Sequence, residues 1–194
     1  MPRRDSEATR ARILNAAVAE FSRHGLAGGR VDRIASAAGS NKRLIYVYYG
    51  DKEGLFEAAL THVLSTASET VPVTPDDLPG FAGRMFDYVQ RRPEALRMNL
   101  WRTLERPGAG PDDTSAYEEN LRAMVSSGAG DARGDLASSD LIVLIVGLAT
   151  SWTLSPPGLR NADGSDPASA PRLAQHREAV VEAARRIADQ SATT

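Results

Sequence analysis

Lys42 and Lys52 are the two lysines in a chain of 194 residues. Both fall between Val31 and Leu60, in VDRIASAAGSNKRLIYVYYGDKEGLFEAAL, beside Tyr46, Tyr48 and Tyr49. The rest of the 23 Lys+Arg are arginines spread along the chain. Cations and phenolic hydroxyls gathered in one short unit suit a phosphate backbone: Lys and Arg displace counterions, and Tyr donates to phosphate oxygens. On pattern alone, an ordinary helical pair with a solvated charged face stays open.

Other chemistry finds little support. The chain has no cysteine, which excludes disulfides, thiol redox sensing and Cys-ligated zinc. His24, His62 and His176 are far apart and show no HExxH-like ligand spacing, so no metal or cofactor is expected. His24 reads as a helix C-terminal residue and His176 as a bundle residue. There is no GxSxG elbow and no GxxxxGK[ST] loop, and the adjacent Glu118 and Glu119 face different directions on a helix. No catalytic residue is assigned, and an enzyme is not expected.

Helices must position the cationic unit. Val31, Ile34, Ala35 and Ala38 recur at i, i+3, i+4, i+7, the pattern of a one-faced helix. Gly39 follows where the chain needs a residue tolerant of positive φ. Asn41 can cap the next helix, about Lys42 to Tyr49. At 100° per residue, that helix puts Lys42, Arg43, Tyr46 and Val47 on one arc and Leu44, Ile45, Tyr48 and Tyr49 on the other. Asp51 reads as the N-cap of a helix from Lys52 to about Thr70. A lysine in a first turn opposes the helix dipole, so Lys52 has no evident structural reason to be there. Facing a phosphate, it would act together with the free amides of the helix end. Upstream, residues 7 to 24 form an amphipathic helix lined by Ile13, Leu14, Ala17, Val18 and Phe21 and ended by Gly25. Three helices of this length enclose a small core and depend on the rest of the chain for support.

At this point the residues match a family. "RILNAAVAEFSRHG", "VDRIASAAG" and "LIYVYYGDKEGLFEAAL", in this order and spacing, resemble the DNA-binding domain of TetR-type transcriptional regulators. The match runs without gaps from residue 7 to about 66, about a third of the chain. The resemblance implies that the second and third helices form a helix-turn-helix whose third helix enters the major groove. It places Asn41, Lys42, Arg43, Leu44 and Val47 toward bases or adjacent phosphates, Tyr46, Tyr48 and Lys52 on the backbone, and Ile45 and Tyr49 in the core. Three residues depart from the family pattern. Arg30 replaces the usual Thr or Ser cap, which opens the way to an Arg–phosphate contact. Leu44 replaces a small or hydroxylated residue, and either touches a thymine methyl or packs. Arg43 replaces a frequent glycine and can pair bidentately with guanine. Periodicity draws Tyr48 toward the core arc, so its ring is expected packed and its hydroxyl exposed.

Charge divides the chain similarly. Residues 1–62 hold ten Lys/Arg against seven Asp/Glu, and residues 63–194 thirteen against eighteen, so a net +3 head precedes a net −5 body. The expected fold is all-α: a helix-turn-helix DNA-binding domain over residues 6–66, then a helical effector-binding and dimerisation domain over 67–194. "MPRRDSE" has no apolar signal region, and the apolar run Leu141 to Ala149 is too short to cross a bilayer. A soluble cytoplasmic protein with no membrane partner is therefore expected.

In the body, "VPVTPDDLPG" breaks the helix, and Phe81, Met85, Phe86 and Val89 then suggest another. Pro93 opens a helix with Leu96, Leu100, Trp101 and Leu104 on one face, and Tyr117, Leu121, Met124 and Val125 mark a further one. About Leu136 to Leu154 the chain is apolar nearly all round, as in a helix buried on several sides. "SPPGLRNADGSDPASAP" reads as a long loop with a mobile middle, before a last amphipathic helix over about 171 to 189.

The two C-terminal helices either pack internally or pair with a second copy. TetR-type proteins join these helices in a four-helix interface, which would engage Leu141, Val143, Leu144, Leu148, Leu173, Val180, Ala184 and Ile187 in a homodimer. A two-fold dimer also suits two recognition helices about 34 Å apart. Met85, Tyr88, Met98, Trp101, Tyr117, Met124 and Trp152 either line an effector pocket or belong to the core, as most such residues do. The expected protein is thus a homodimeric repressor, released from palindromic double-stranded operator DNA by a small, largely apolar effector. The rival is an all-α ligand-binding or interaction module whose head no longer binds DNA; salt-dependent binding to promoter DNA separates the two.

Overall fold

The structure is a computed structural model that describes residues 3–106, 122, 125, 126 and 137–189. Among these residues there is no strand. The helices are α1 (Arg3–Gly28), α2 (Val31–Ala37), α3 (Lys42–Tyr49), α4 (Lys52–Thr70), α5 (Leu78–Arg91), α6 (Glu94–Glu105), α7 (Ser138–Leu154), the single turn α8 (Pro157–Arg160) and α9 (Ala170–Asp189). They form two compact units. One takes α1 to α3, most of α4, and α6; the other takes α5 and α7 to α9.

In the first unit, Ile13, Ala17 and Phe21 of α1 lie one turn apart and are fully buried with Ile34, Ile45, Leu55, Phe56 and Ala59. Phe21 meets Phe56 edge-on, ring centroids 5.2 Å apart. Gly39 has φ 57°, as the turn between α2 and α3 requires. The chain passes from one unit to the other at Ala67, but α6 packs with the head, and its Met98 is fully buried in the head's core. A three-helix head cannot close its own apolar core, and α6 completes it.

The buried face of α6 also differs from expectation. Ala95 and Met98 point inward, while Leu100 and Leu104 are exposed. Trp101 packs against the head's core. Met98 is therefore a core residue of the head, and the half-buried Trp101 backs it beside α1.

The junction of α1 and α6 rests on Gly25, whose φ of 67° and ψ of −175° break the helical path. The break frees amides that the Glu105 carboxylate then accepts, from Leu26 at 2.6 Å and Ala27 at 3.2 Å. A Cβ at Gly25 would stand 2.7 Å from Glu105 Oε1 and 2.9 Å from Trp101.

In the second unit, Asp77 caps α5 by accepting from the Gly80 amide at 2.8 Å. Leu78, Phe81, Ala82, Phe86, Tyr88 and Val89 are the buried face of α5, which packs along α7 and α9. Trp152 stacks beside His176 at 4.5 Å between centroids, and the Arg172 guanidinium lies 4.5 Å from the centre of the Trp152 ring. The expected loop after α7 contains α8, and its Asp163 pairs with Arg172 at 3.2 Å.

Helix α7 is not buried on several sides within the protomer. Leu141, Ile145, Ala149 and Trp152 repeat at helical spacing and are buried, whereas Val143, Leu144 and Leu154 are exposed. This corrects three residues expected at a dimer interface: Leu141, Val180 and Ala184 are buried inside the protomer, on the faces that α5, α7 and α9 share. Val143 and Leu144 remain open to a partner; Leu148, Leu173 and Ile187 are half-buried. Met85 is half-buried, Tyr88 and Trp152 are buried, and Tyr117 and Met124 lie outside the described residues.

Candidate nucleic-acid interface

The Asn41 side chain caps α3 by accepting from the Arg43 amide at 2.8 Å. Ile45 is the one fully buried residue of α3. Anchored by Ile45, the helix holds Lys42, Arg43, Tyr46 and Val47 outward; Val47 is 68% exposed and Tyr46 40%. Leu44 and Tyr49 are half-buried, and Tyr49 donates to the Arg10 carbonyl at 3.4 Å. Desolvation raises the Tyr49 hydroxyl above the usual phenol range. The outward arc thus carries two cations, a phenol and an aliphatic side chain on a capped two-turn helix. Such an arc can form bonds to phosphate, bidentate bonds to guanine and an apolar contact with thymine.

For Tyr48 the ring is packed, but the hydroxyl, expected exposed, has a part-buried partner on α1. The Arg10 guanidinium sits 4.6 Å from the ring centre, and the hydroxyl shares a 3.2 Å hydrogen bond with Ser6. Ser6 and Arg10 of α1 escaped the sequence reading. Their signal was the four-residue spacing that puts both on one helix face. Arg12 was also missed; it donates to the Ala38 carbonyl at 3.3 Å and ties α1 to the end of α2.

Arg30 is exposed at the start of α2 and makes no side-chain cap. Its amide instead donates to Glu20 at 2.9 Å, and Arg33 donates to the same carboxylate at 2.8 Å. Glu20 therefore ties the start of α2 to α1 without accepting from the first-turn amides of α2. Burial pushes its carboxyl up, but the bonds from Arg33 and Arg30 outweigh this and leave it below the usual range.

Lys52 has a structural partner that its position in sequence hides. Its Nζ donates to the Ala27 carbonyl at 3.1 Å, at the end of α1 where a cation is favoured. The peptide at Leu26–Ala27 is held on its amides by Glu105 and on its carbonyl by Lys52. Asp51 caps α4 as expected, accepting from the Gly54 amide at 2.7 Å. Lys42 also has a partner: it pairs with Asp32 of α2 at 2.8 Å, both side chains exposed. Hydrogen bonding and opposite charge hold the Asp32 carboxyl below its usual value and the Lys42 ammonium above its own.

Comparison with known proteins decides the family. The sequence profile of bacterial regulatory proteins of the tetR family matches residues 13–59, and that of the tetracyclin repressor-like C-terminal domain matches residues 77–186. The chain belongs to the tetR family. An HTH-type transcriptional repressor of Streptomyces coelicolor, SCO4008, is 40% identical over 195 residues, covering 98% of this chain and all of that protein. The crystal structure of the S. coelicolor transcriptional regulator SCO4942 superposes with a TM-score of 0.74 at 31% identity, covering 92% of this chain and 97% of that one. A TetR family regulator from Marinobacter aquaeolei shares the fold, with a TM-score of 0.66 at 22% identity and 94% of this chain covered. This tetR-family chain is a DNA-binding transcription regulator, not an enzyme, and α2 and α3 are its helix-turn-helix. None of its described helices is long and apolar enough to cross a membrane.

Proposed function

We propose that this regulator is a homodimeric, cytoplasmic repressor that binds a palindromic operator through α3 and leaves it when a small, largely apolar effector binds. The observation that carries the reading is the outward arc of α3, where Lys42, Arg43, Tyr46 and Val47 stand exposed over one buried anchor, Ile45. Arg43 reads guanine; Lys42, Tyr46, Lys52 and Arg30 hold phosphates; Val47 and Leu44 contact apolar base edges; Asn41 divides its role between cap and base. Repression is supported by the name of the 40% identical S. coelicolor relative. Dimerisation is supported by the uncovered apolar face of α7, with Leu148, Leu173 and Ile187 still partly accessible. For the effector, Met85, Tyr88 and Trp152 remain the candidates in the second unit.

Selection of bound sites from random duplex DNA at two salt concentrations tests the assignment of reading and holding residues. Arg43→Ala is expected to cost about 1–3 kcal/mol per half-site and to relax preference at one base position. Lys52→Ala is expected to weaken all sequences alike and lower the salt slope by about one per subunit. If Arg43→Ala keeps the full preference while Lys52→Ala alters it, the two roles are misassigned.

A further inference from the structure

Asp32 is a carboxylate on a surface expected to meet a polyanion. It lies in the first turn of α2, between Arg30 and Lys42, and is one of the more exposed side chains there, at 62%. Its oxygen is 2.8 Å from Lys42 Nζ, at the first residue of the recognition helix. A residue in the first turn of a helix gains from a negative charge, but a position away from Lys42 would supply that gain equally. The geometry ties the carboxylate to Lys42. The carboxyl is lowered by Lys42 first and by Arg30 more weakly, while Arg30 slightly opposes the ammonium of Lys42.

We propose that Asp32 is a specificity-determining positioning residue: by pairing with Lys42 it withholds part of that cation from indiscriminate phosphate binding and presents it where α3 is seated in a matching groove. The inference rests on the reading of Lys42 as a DNA contact. An ammonium has three donors, so Lys42 can keep Asp32 on one of them and give another to a phosphate in the seated complex. On a mismatched duplex, α3 is not fixed in the groove and attraction is mostly counterion release. There, neutralisation of Lys42 by Asp32 removes close to one effective charge per subunit. Specific binding loses less, because its bonds are set by geometry. Asp32 therefore lowers affinity for random DNA more than affinity for the operator, and the ratio between them rises.

The probes are duplexes enriched from a random library by the wild-type protein and an unselected random duplex, each titrated at several salt concentrations. Asp32→Asn is expected to tighten binding to the random duplex about two- to fivefold per subunit, the strength of an exposed ion pair. The salt slope on that duplex should steepen by up to about 0.9 per subunit, with a smaller change on the selected duplex. Asp32→Glu keeps the charge and should keep wild-type slopes. In a Lys42→Met background the gain from Asp32→Asn should shrink, leaving only the direct repulsion between carboxylate and phosphate. An equal gain there would mean that Asp32 acts through its charge alone, and the proposal falls. It falls too if Asp32→Asn leaves random-duplex binding unchanged or weaker while circular dichroism shows a folded protein. Should Lys42→Met itself leave both duplexes unaffected, the reading of Lys42 as a DNA contact fails instead.

Discussion

Helices α3 and α7 each turn one face to a core and leave the other uncovered, yet the uncovered faces differ in kind. On α3 the open arc consists of Lys42, Arg43, Tyr46 and Val47; on α7 it includes Val143, Leu144 and Leu154. An arc of charges and a phenol is stable in water and gains when it meets phosphate and base edges. Three exposed aliphatic side chains on one helix gain about 25 cal/mol for each Å² of apolar area removed from water, which favours a protein partner. Burial alone does not separate these roles. The side-chain chemistry at the exposed positions does.

The strongest way to break the comparison is to put a charge on each side of the second unit. Val180 is 3% exposed and Val143 69%. Val180→Glu would bury an unpaired carboxylate and leave a packing defect, and is expected to lower stability by about 3–5 kcal/mol, with loss of the cooperative thermal transition. Val143→Glu should leave the protomer fold within about 0.5 kcal/mol while converting dimers to monomers in sedimentation. If Val143→Glu stays dimeric, α7 does not form the interface.

The contrast between head and body was only partly legible in the sequence. The capped helix from Lys42, the positive φ at Gly39, the Asp51 cap and the buried role of Ile45 follow from local rules, and the structure has each of them. What escaped depends on contacts distant in sequence. Lys52 looked unfavourable at a helix start because its partner, the Ala27 carbonyl, lies 25 residues earlier. Glu105, 79 residues after Leu26, gave no sign that it would receive amides released by a kink at Gly25. Leu100 and Leu104 have the spacing of a buried stripe, yet α6 turns Ala95 and Met98 inward instead. Helical periodicity identifies an apolar face, but it cannot say whether a protomer's own core covers it or leaves it for something else.

A smaller effect is expected from Gly25, which distinguishes how the two units are held. The head's α1–α6 junction relies on backbone amides given to a carboxylate, and Gly25→Ala attacks that junction through both the positive φ and the crowding at Glu105 and Trp101. A loss of about 1–3 kcal/mol is expected, the usual cost of forcing a Cβ into such a conformation. Operator binding should weaken in step, while sedimentation should still show dimers. A Gly25→Ala protein with unchanged melting temperature would mean that the junction tolerates the added carbon.

The smallest effect concerns His176, a titratable ring in the second unit. It lies between Trp152 at 4.5 Å and Phe86 at 5.7 Å, and its Nε2 is 3.4 Å from the Ser151 hydroxyl. Burial, and then the nearby Arg172 charge, push its pKa below the usual 6.5. In the window between that lowered value and 6.5 the unfolded chain binds more protons than the folded one, so stability rises with pH there. The stabilising contribution of neutral His176 is therefore complete above about pH 6.5 and is lost as pH falls toward the folded-state value. Carboxylates that titrate at lower pH also contribute to acid sensitivity, so the test compares variants. His176→Gln keeps a polar group near Ser151 without a proton to gain, and its melting temperature should fall less between about pH 7.5 and about pH 5.5 than that of the wild type. Equal falls in the two proteins would mean that His176 titrates as it does in the unfolded chain, and that the ring cluster around Trp152 does not resist its charge.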